Sequence, residues 1–357
     1  MEDALEKFSR DGSVLRFSLQ QGEKTQQFEM LYLEVESDEE LEEAARSPDP
    51  HRRFAAIYRI AQNPKPRFLG VLLAAAQDRS FVGRGAAVIG LAKLAKTDRT
   101  ARKAVNAALF SGDYLLTLSA LQGMGFFCGF WVRRRLRRVL RHLMRQPLDK
   151  SPASIARGFL ATAAAESLIK CRDNSAVPQL HRLLQHPDPH IRTQTLSVLA
   201  RHPEVADIQK VAPLSKQSPP VSIPALEILA KKGDASALED IIAYAESPEG
   251  NVRAQALAAL LNIGSQKALD AAHNLLKNEK DPLLRTQVAL RLINAGRKVD
   301  ADVVSPLLSH NSPVVRQSAI LALAQCDGGK EILRHHLERE PDEILRRMIE
   351  KQLTEEK

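Results

Sequence analysis

One frame recurs along the chain and fixes what it can fold into. In HPDPHIRTQTLSVLA (186–200), SPEGNVRAQALAALL (247–261), EKDPLLRTQVALRLI (279–293) and NSPVVRQSAILALAQ (311–325), a proline-containing turn leads to an apolar residue and then to Arg. Apolar or small residues follow that Arg three, four and seven places on: Thr195, Leu196 and Leu199 after Arg192, and Ala319, Ile320 and Leu323 after Arg316. Such spacing draws one apolar stripe down a helix. Weaker copies extend the frame upstream and to the end of the chain. The anchors are Arg53, Arg84, Thr117, Arg157, Arg192, Ser222, Arg253, Arg285, Arg316 and Arg346, at steps of 31, 33, 40, 35, 30, 31, 32, 31 and 30 residues. A second amphipathic segment lies between anchors, as in residues 175–186, 236–247 and 267–278. One helix pair cannot bury its apolar faces alone, and stacked neighbours build a continuous core. The pattern predicts an all-α, right-handed α-solenoid of about ten helix pairs over residues 38–352.

These residues closely resemble HEAT repeats, in particular the short HEAT-like repeats of the phycobilisome-lyase type. The resemblance implies a ladder in which a turn Asp and a helix Arg link neighbouring repeats. Asp49 with Arg53, Asp188 with Arg192, Asp281 with Arg285 and Asp342 with Arg346 fit it, and Arg253 and Arg316 supply the same Arg. Thr117 and Ser222 depart from it, so the ladder is expected to be interrupted there. Gln194, Gln255 and Gln287 each stand two places after an anchor Arg and are candidates to line a concave groove; exposed helix surface is the equal alternative.

The ends depart from the repeat. Residues 1–36 form a separate N-terminal segment, and 37–357 hold the array with a C-terminal capping helix. VLRFSLQ alternates and QFEMLYLEV is rich in strand formers, so a short β-hairpin over residues 13–35 is expected. Its simplest role is to cover the exposed core of the first repeat; a docking edge strand is the other. Ser37 and Glu40 form a capping-box pattern at the start of the first array helix.

Only 4% of residues are aromatic, so Leu, Ala, Ile and Val must build the core. The formal net charge is +8, and seven positive charges sit between Arg133 and Arg145. The basic character therefore reads as local. Cys128, Cys171 and Cys326 are far apart and form no CxxC pair, which argues against zinc and against a disulfide framework, and suits a reducing, cytoplasmic setting. No secretory signal and no span long enough for a bilayer are visible.

The stretch FWVRRRLRRVLRHLMR (130–145) is amphipathic. On a helical wheel Val132, Leu136, Val139, Leu140 and Leu143 share one face, and Arg134, Arg137, Arg138, Arg141 and Arg145 share the opposite one. Five like charges on one face repel, which makes them a candidate site for an anionic partner. The resemblance places this helix on the convex side. Trp131 reads as an anchor at its start. His186, His190, His202, His335 and His336 lack ligand spacing and read as surface residues.

No catalytic grouping, metal site or cofactor site is evident. The expected function is a non-enzymatic protein-interaction scaffold whose Arg-rich helix meets a partner with an acidic surface. Nucleic acid or an anionic membrane at the same helix is the alternative, and a phycobilin-lyase-like subunit the second. Deoxyhypusine hydroxylases share the period but bind iron through His-Glu pairs, and no histidine here precedes a Glu. HEAT-like alkylpurine glycosylases need aromatic residues and a catalytic Asp around a cleft, a constellation that the single Trp followed by VRRR does not form.

Overall fold

A computed structural model describes residues 37–354, the side chain of His51 excepted, and the backbone of residues 4–11, 14–21 and 24–31. The backbone runs through β1 (Ala4–Asp11), β2 (Val14–Gln21) and β3 (Lys24–Leu31), with β2 and β3 antiparallel. The expected two-stranded hairpin cap is not supported. The side chains that a cap would have to bury over the first repeat lie outside the described residues. From residue 37 onward the described residues are helical, with no strand.

Contacts divide the chain into two compact units, Glu6–Lys210 and Val211–Lys357. Two local features accompany the division. The helix that crosses it contains Pro213, which has no N–H to give to the helix. The next anchor is Ser222, which has no guanidinium, and its buried Oγ has no hydrogen-bond partner.

The first unit contains α1 (Asp38–Ala44), α2 (Pro50–Gln62), α3 (Leu69–Gln77), α4 (Arg84–Leu94), α5 (Arg99–Leu109), α6 (Tyr114–Gly123), α7 (Phe130–Leu143), α8 (Pro152–Lys170), α9 (Val177–Leu183) and α10 (Pro189–Arg201). Helix α11 (Ile208–Ser215) crosses the division. The second unit contains α12 (Ser222–Lys231), α13 (Ala235–Ala245), α14 (Gly250–Ile263), α15 (Gln266–Leu276), α16 (Pro282–Asn294), α17 (Ala301–Val304), α18 (Pro313–Leu323), α19 (Gly329–Leu337) and α20 (Glu343–Thr354). The anchors fall one each in the even-numbered helices from α2 to α20, as the spacing predicts. In the first unit α2, α4, α6, α8 and α10 pack side by side as one layer, with α3, α5, α7 and α9 against them. In the second, α12, α14, α16, α18 and α20 form the equivalent layer.

Local chemistry starts these helices where the sequence says. Ser37 Oγ accepts from the Glu40 N–H and Glu40 Oε2 accepts from the Ser37 N–H, closing the predicted capping box. Asp98, Asp113, Ser151, Asp188, Asp234, Ser265 and Asp281 each accept from an N–H in the first turn of their own helix. The core between layers is aliphatic: Leu91, Leu121, Leu136, Leu168 and Leu180 are fully buried in the first unit, and Leu260, Leu292, Ile320 and Leu323 in the second. At Gly123 an added Cβ would lie 2.5 Å from Ala92 Cβ, so glycine is what lets α6 close on α4.

The Arg ladder exists, with partners other than those expected. Asp188, Asp281 and Asp342 spend their carboxylates on N–H groups at the starts of α10, α16 and α20, and Asp49 Oδ2 accepts from the Arg52 N–H. The anchor arginines instead donate back to carbonyls of the turn before them. Arg192 reaches the oxygens of His186 and Pro187 (2.7 and 3.0 Å), and Arg253 those of Ser247 and Pro248 (3.0 Å each). Arg285 Nε donates to Glu279 O (2.9 Å). Several also reach forward to an acid of the next repeat: Arg53 to Asp78 (3.7 Å), Arg84 to Asp113 (3.0 Å), Arg253 to Glu279 (3.1 Å) and Arg316 to Glu340 (2.9 Å). Asp113 does both, capping α6 with one oxygen and meeting Arg84 with the other, whereas Asp188, Asp281 and Asp342 serve as caps. Arg346 is exposed on the last helix.

Candidate anionic-partner site

Helix α7 starts after Gly129, whose extended backbone supplies no side-chain cap. Its apolar residues hold it to α8. Leu136 and Leu140 are buried, while Val132, Val139 and Leu143 are half-buried, so the core face is centred one step round from the face expected. Burying two leucines contributes about 1.5–3 kcal/mol each. The C-terminal end is tied to α9 by Arg182, which donates to Met144 O at 2.8 Å.

Arg134, Arg137, Arg138, Arg141 and Arg145 are all exposed. Arg137 leans out of line: its Nε donates to Asp173 Oδ2 at 2.7 Å. Burial pushes the Asp173 carboxyl up, but the hydrogen bonds from Arg137 and Ser175 outweigh it and hold its pKa below the ordinary carboxylate range. That leaves Arg134, Arg138, Arg141 and Arg145, none paired with a carboxylate among the described residues.

Aromatic side chains beside the strip were missed in the sequence reading. Trp131, expected as an anchor, is 72% exposed, and Phe130 and Phe110 are similarly open. Phe130 and Trp131 meet edge to face with centroids 5.3 Å apart. The Arg134 guanidinium sits over the Trp131 ring at 5.6 Å and that of Arg135 over Phe110 at 5.8 Å. Arg135 also donates to Asn106 Oδ1. Phe110, at the end of α5, is brought to α7 by repeat stacking, which no local sequence window shows. The signal for Phe130 and Trp131 was available: on a wheel both flank Arg134, away from Leu136.

The near balance of charge outside α7 hides a segregation. Residues 1–50 hold 14 acidic and 5 basic residues, whereas residues 51–210 hold 27 basic and 9 acidic ones. The α7 strip therefore stands in a broadly basic stretch of chain, which corrects the reading of an isolated patch.

The cysteine expectation is also corrected. Cys128 and Cys171 form a disulfide, with Cα atoms 5.2 Å apart and a sequence separation of 43. Stacking brings the turn before α7 against the end of α8, a closeness invisible in cysteine spacing. The pairing removes the argument for a reducing compartment. Among the described residues no helix is long and apolar enough to cross a membrane.

The remaining candidates are placed as follows. Gln194 is half-buried on α10, and Gln255 and Gln287 are exposed at matching places on the neighbouring helices α14 and α16. His186 is not a surface residue but fully buried, bonded to Ser154 Oγ (3.3 Å) and accepting from the Asp188 N–H (3.0 Å). His336 is half-buried and meets Glu340 at 3.1 Å, while His190 and His335 are exposed. Among the described residues no group of three or more His, Cys, Asp and Glu could hold a metal ion.

A family model described as HEAT repeats matches residues 211–293. The matched stretch runs from α11 through nearly all of α16, and the same anchor frame continues on both sides of it. No curated protein matches the sequence. Among solved structures, an engineered protein is 16% identical, with 89% of this chain and 99% of that one covered and a TM-score of 0.35. The complex of CpcE and CpcF of phycocyanin lyase from Nostoc sp. PCC7120 is 16% identical, covering 76% and 92%, with a TM-score of 0.42. The karyopherin Kap121p bound to the extreme C-terminus of the protein phosphatase Cdc14p is 13% identical, covering 88% of this chain and 40% of that one, with a TM-score of 0.36. Likenesses this distant carry no argument about partners or activity.

Proposed function

We propose that the chain is a non-enzymatic interaction scaffold that receives an anionic partner on the exposed face of α7. The observation that carries this reading is the strip of Arg134, Arg138, Arg141 and Arg145, which no described carboxylate neutralises. Holding four like charges on one helix face is unfavourable in itself, and a partner's negative charge relieves it. An acidic protein surface, a nucleic acid and an anionic membrane share that charge. The stacked HEAT repeats supply a stiff support for the strip rather than a reaction centre.

The test is a variant in which Arg134, Arg138 and Arg141 become Gln, which removes charge while keeping helix propensity. Wild type and variant are titrated with poly-glutamate, an oligonucleotide and anionic vesicles, and their melting is compared. At least one probe should bind wild type and lose tenfold or more in affinity on the variant, with melting unchanged. Failure of all three probes to bind wild type would overturn the reading. A visible spectral shift or chromophore transfer on adding a bilin would favour a lyase-like subunit instead.

A further inference from the structure

Resting on that reading, we propose that the α7 surface binds single-stranded nucleic acid, the arginine strip holding phosphates while Trp131 and Phe110 stack on bases. Three observations converge. The first is spacing. At 1.5 Å rise per residue, Arg134, Arg138 and Arg141 follow one another at about 4.5–6 Å along the helix, and Arg145 stands just past its end. A nucleic-acid strand carries a phosphate about every 3.4 Å when stacked and at wider intervals when extended. The strip therefore meets a strand as a row meets a row.

The second is the interleaving of rings with charge. Trp131 and Phe110 are 72% and 66% exposed, each with a guanidinium beside it. Exposed rings within a basic track are the means by which single strands are held without base-specific hydrogen bonds. In a duplex the base faces are already stacked and offer these rings nothing. The third is the charge of the surrounding chain, 27 basic against 9 acidic residues between 51 and 210, which favours a polyanion over a single acidic side chain or motif.

The same geometry weighs against the other two partners. Sinking Trp131 and Phe110 into a bilayer would draw the guanidinium groups of Arg134 and Arg135 toward hydrocarbon, where charge is costly. An acidic peptide satisfies the arginines but leaves the rings without stacking partners. A base can stack on a ring or on a guanidinium plane alike.

Trp131 is the one tryptophan of the chain and lies in the proposed contact, so it reports the partner's chemistry directly. The experiment titrates the full chain with an oligodeoxythymidylate of about 20 nucleotides, long enough to span the strip. Tryptophan emission and the anisotropy of a labelled oligonucleotide are followed over a salt series. We expect quenching of Trp131. The slope of log affinity against log salt should be near −3, about −0.7 for each of four phosphate contacts. Phe110→Ala should lose about tenfold in affinity with the slope unchanged, as loss of one stacked base implies. The triple Arg→Gln variant should flatten the slope by about 2. Melting of each variant checks its fold. Oligonucleotide binding without quenching and without effect of Phe110→Ala would reduce the site to bare charge and overturn the proposal. Binding of poly-glutamate alone, with emission unchanged, or of anionic vesicles alone, with emission shifted to the blue, would also overturn it while leaving the scaffold reading standing. No binding by any probe would remove both.

Discussion

Arg316 and Arg192 stand at the same place in the repeat and hold different things. Arg316 is buried, donates to His310 O and Asn311 O, and is forked onto Glu340, itself buried. Arg192 donates only to its own turn, and its buried Nε has no partner; at the matching distance onward the sequence offers Lys216, Gln217 and Ser218 rather than an acid. Removing Arg316 takes the guanidinium from a buried carboxylate that keeps only His336 and the Asp342 N–H, so Arg316→Ala should cost about 3–5 kcal/mol. Arg192→Ala should cost about 1.5–3 kcal/mol. Denaturant midpoints at constant slope measure both, and equal losses would show that the forward acid contributes nothing. Buried and half-buried histidines set the acid limit. His181, His186 and His310 all have pKa values lowered by burial. The folded state then binds fewer protons than the unfolded one below the ordinary histidine value of about 6.5, so stability falls as pH drops through that region. The Asp173 and Glu279 carboxyls, lowered by Arg137 and Arg253 against the push of burial, keep their contribution until the pH falls below the ordinary carboxylate range. The melting temperature should decline from about pH 7.5 to about pH 5, and a rise over that interval would refute this assignment.

At the scale of the element, the repeat was legible because its signal is periodic and local. Each anchor fixes a helix face, and stacking lets every unit repeat the same solution, so all ten anchor helices could be placed from spacing alone. The direction of the charged face of α7 was legible for the same reason. What the sequence hid depends on contacts between repeats. Phe110 reaches α7 across 25 residues of sequence to Arg135, and Glu279 and Glu340 become Arg partners only once the next turn is stacked. Asp49 and Asp188 looked like ladder acids because a capping Asp and a bridging Asp share one place in the motif. Trp131 was misread because a large aromatic residue at a helix start is a good anchor only if the face it occupies is covered, and α7 turns that face outward. The 40-residue step has a plain cause in the 14-residue α7 and the connections on either side of it.

At the scale of the molecule, the unit Val211–Lys357 carries its own aliphatic core and its own Arg–acid links. Residues 211–357 expressed alone should give a helical circular-dichroism spectrum and a cooperative melt; a non-cooperative melt would show that the unit depends on the rest of the chain. The disulfide has a consequence for the first unit that concerns connectivity rather than packing. Cys128 and Cys171 close a covalent ring of chain that contains all of α7 and the exposed connection at 145–147 before α8. A protease that cuts this connection, where Arg145 invites trypsin, breaks the backbone once and releases nothing. The nicked chain should migrate as one species on a denaturing gel and fall into two only after reduction. The basic helix can thus be cut from its neighbour in sequence and still remain bolted to the repeat that presents it.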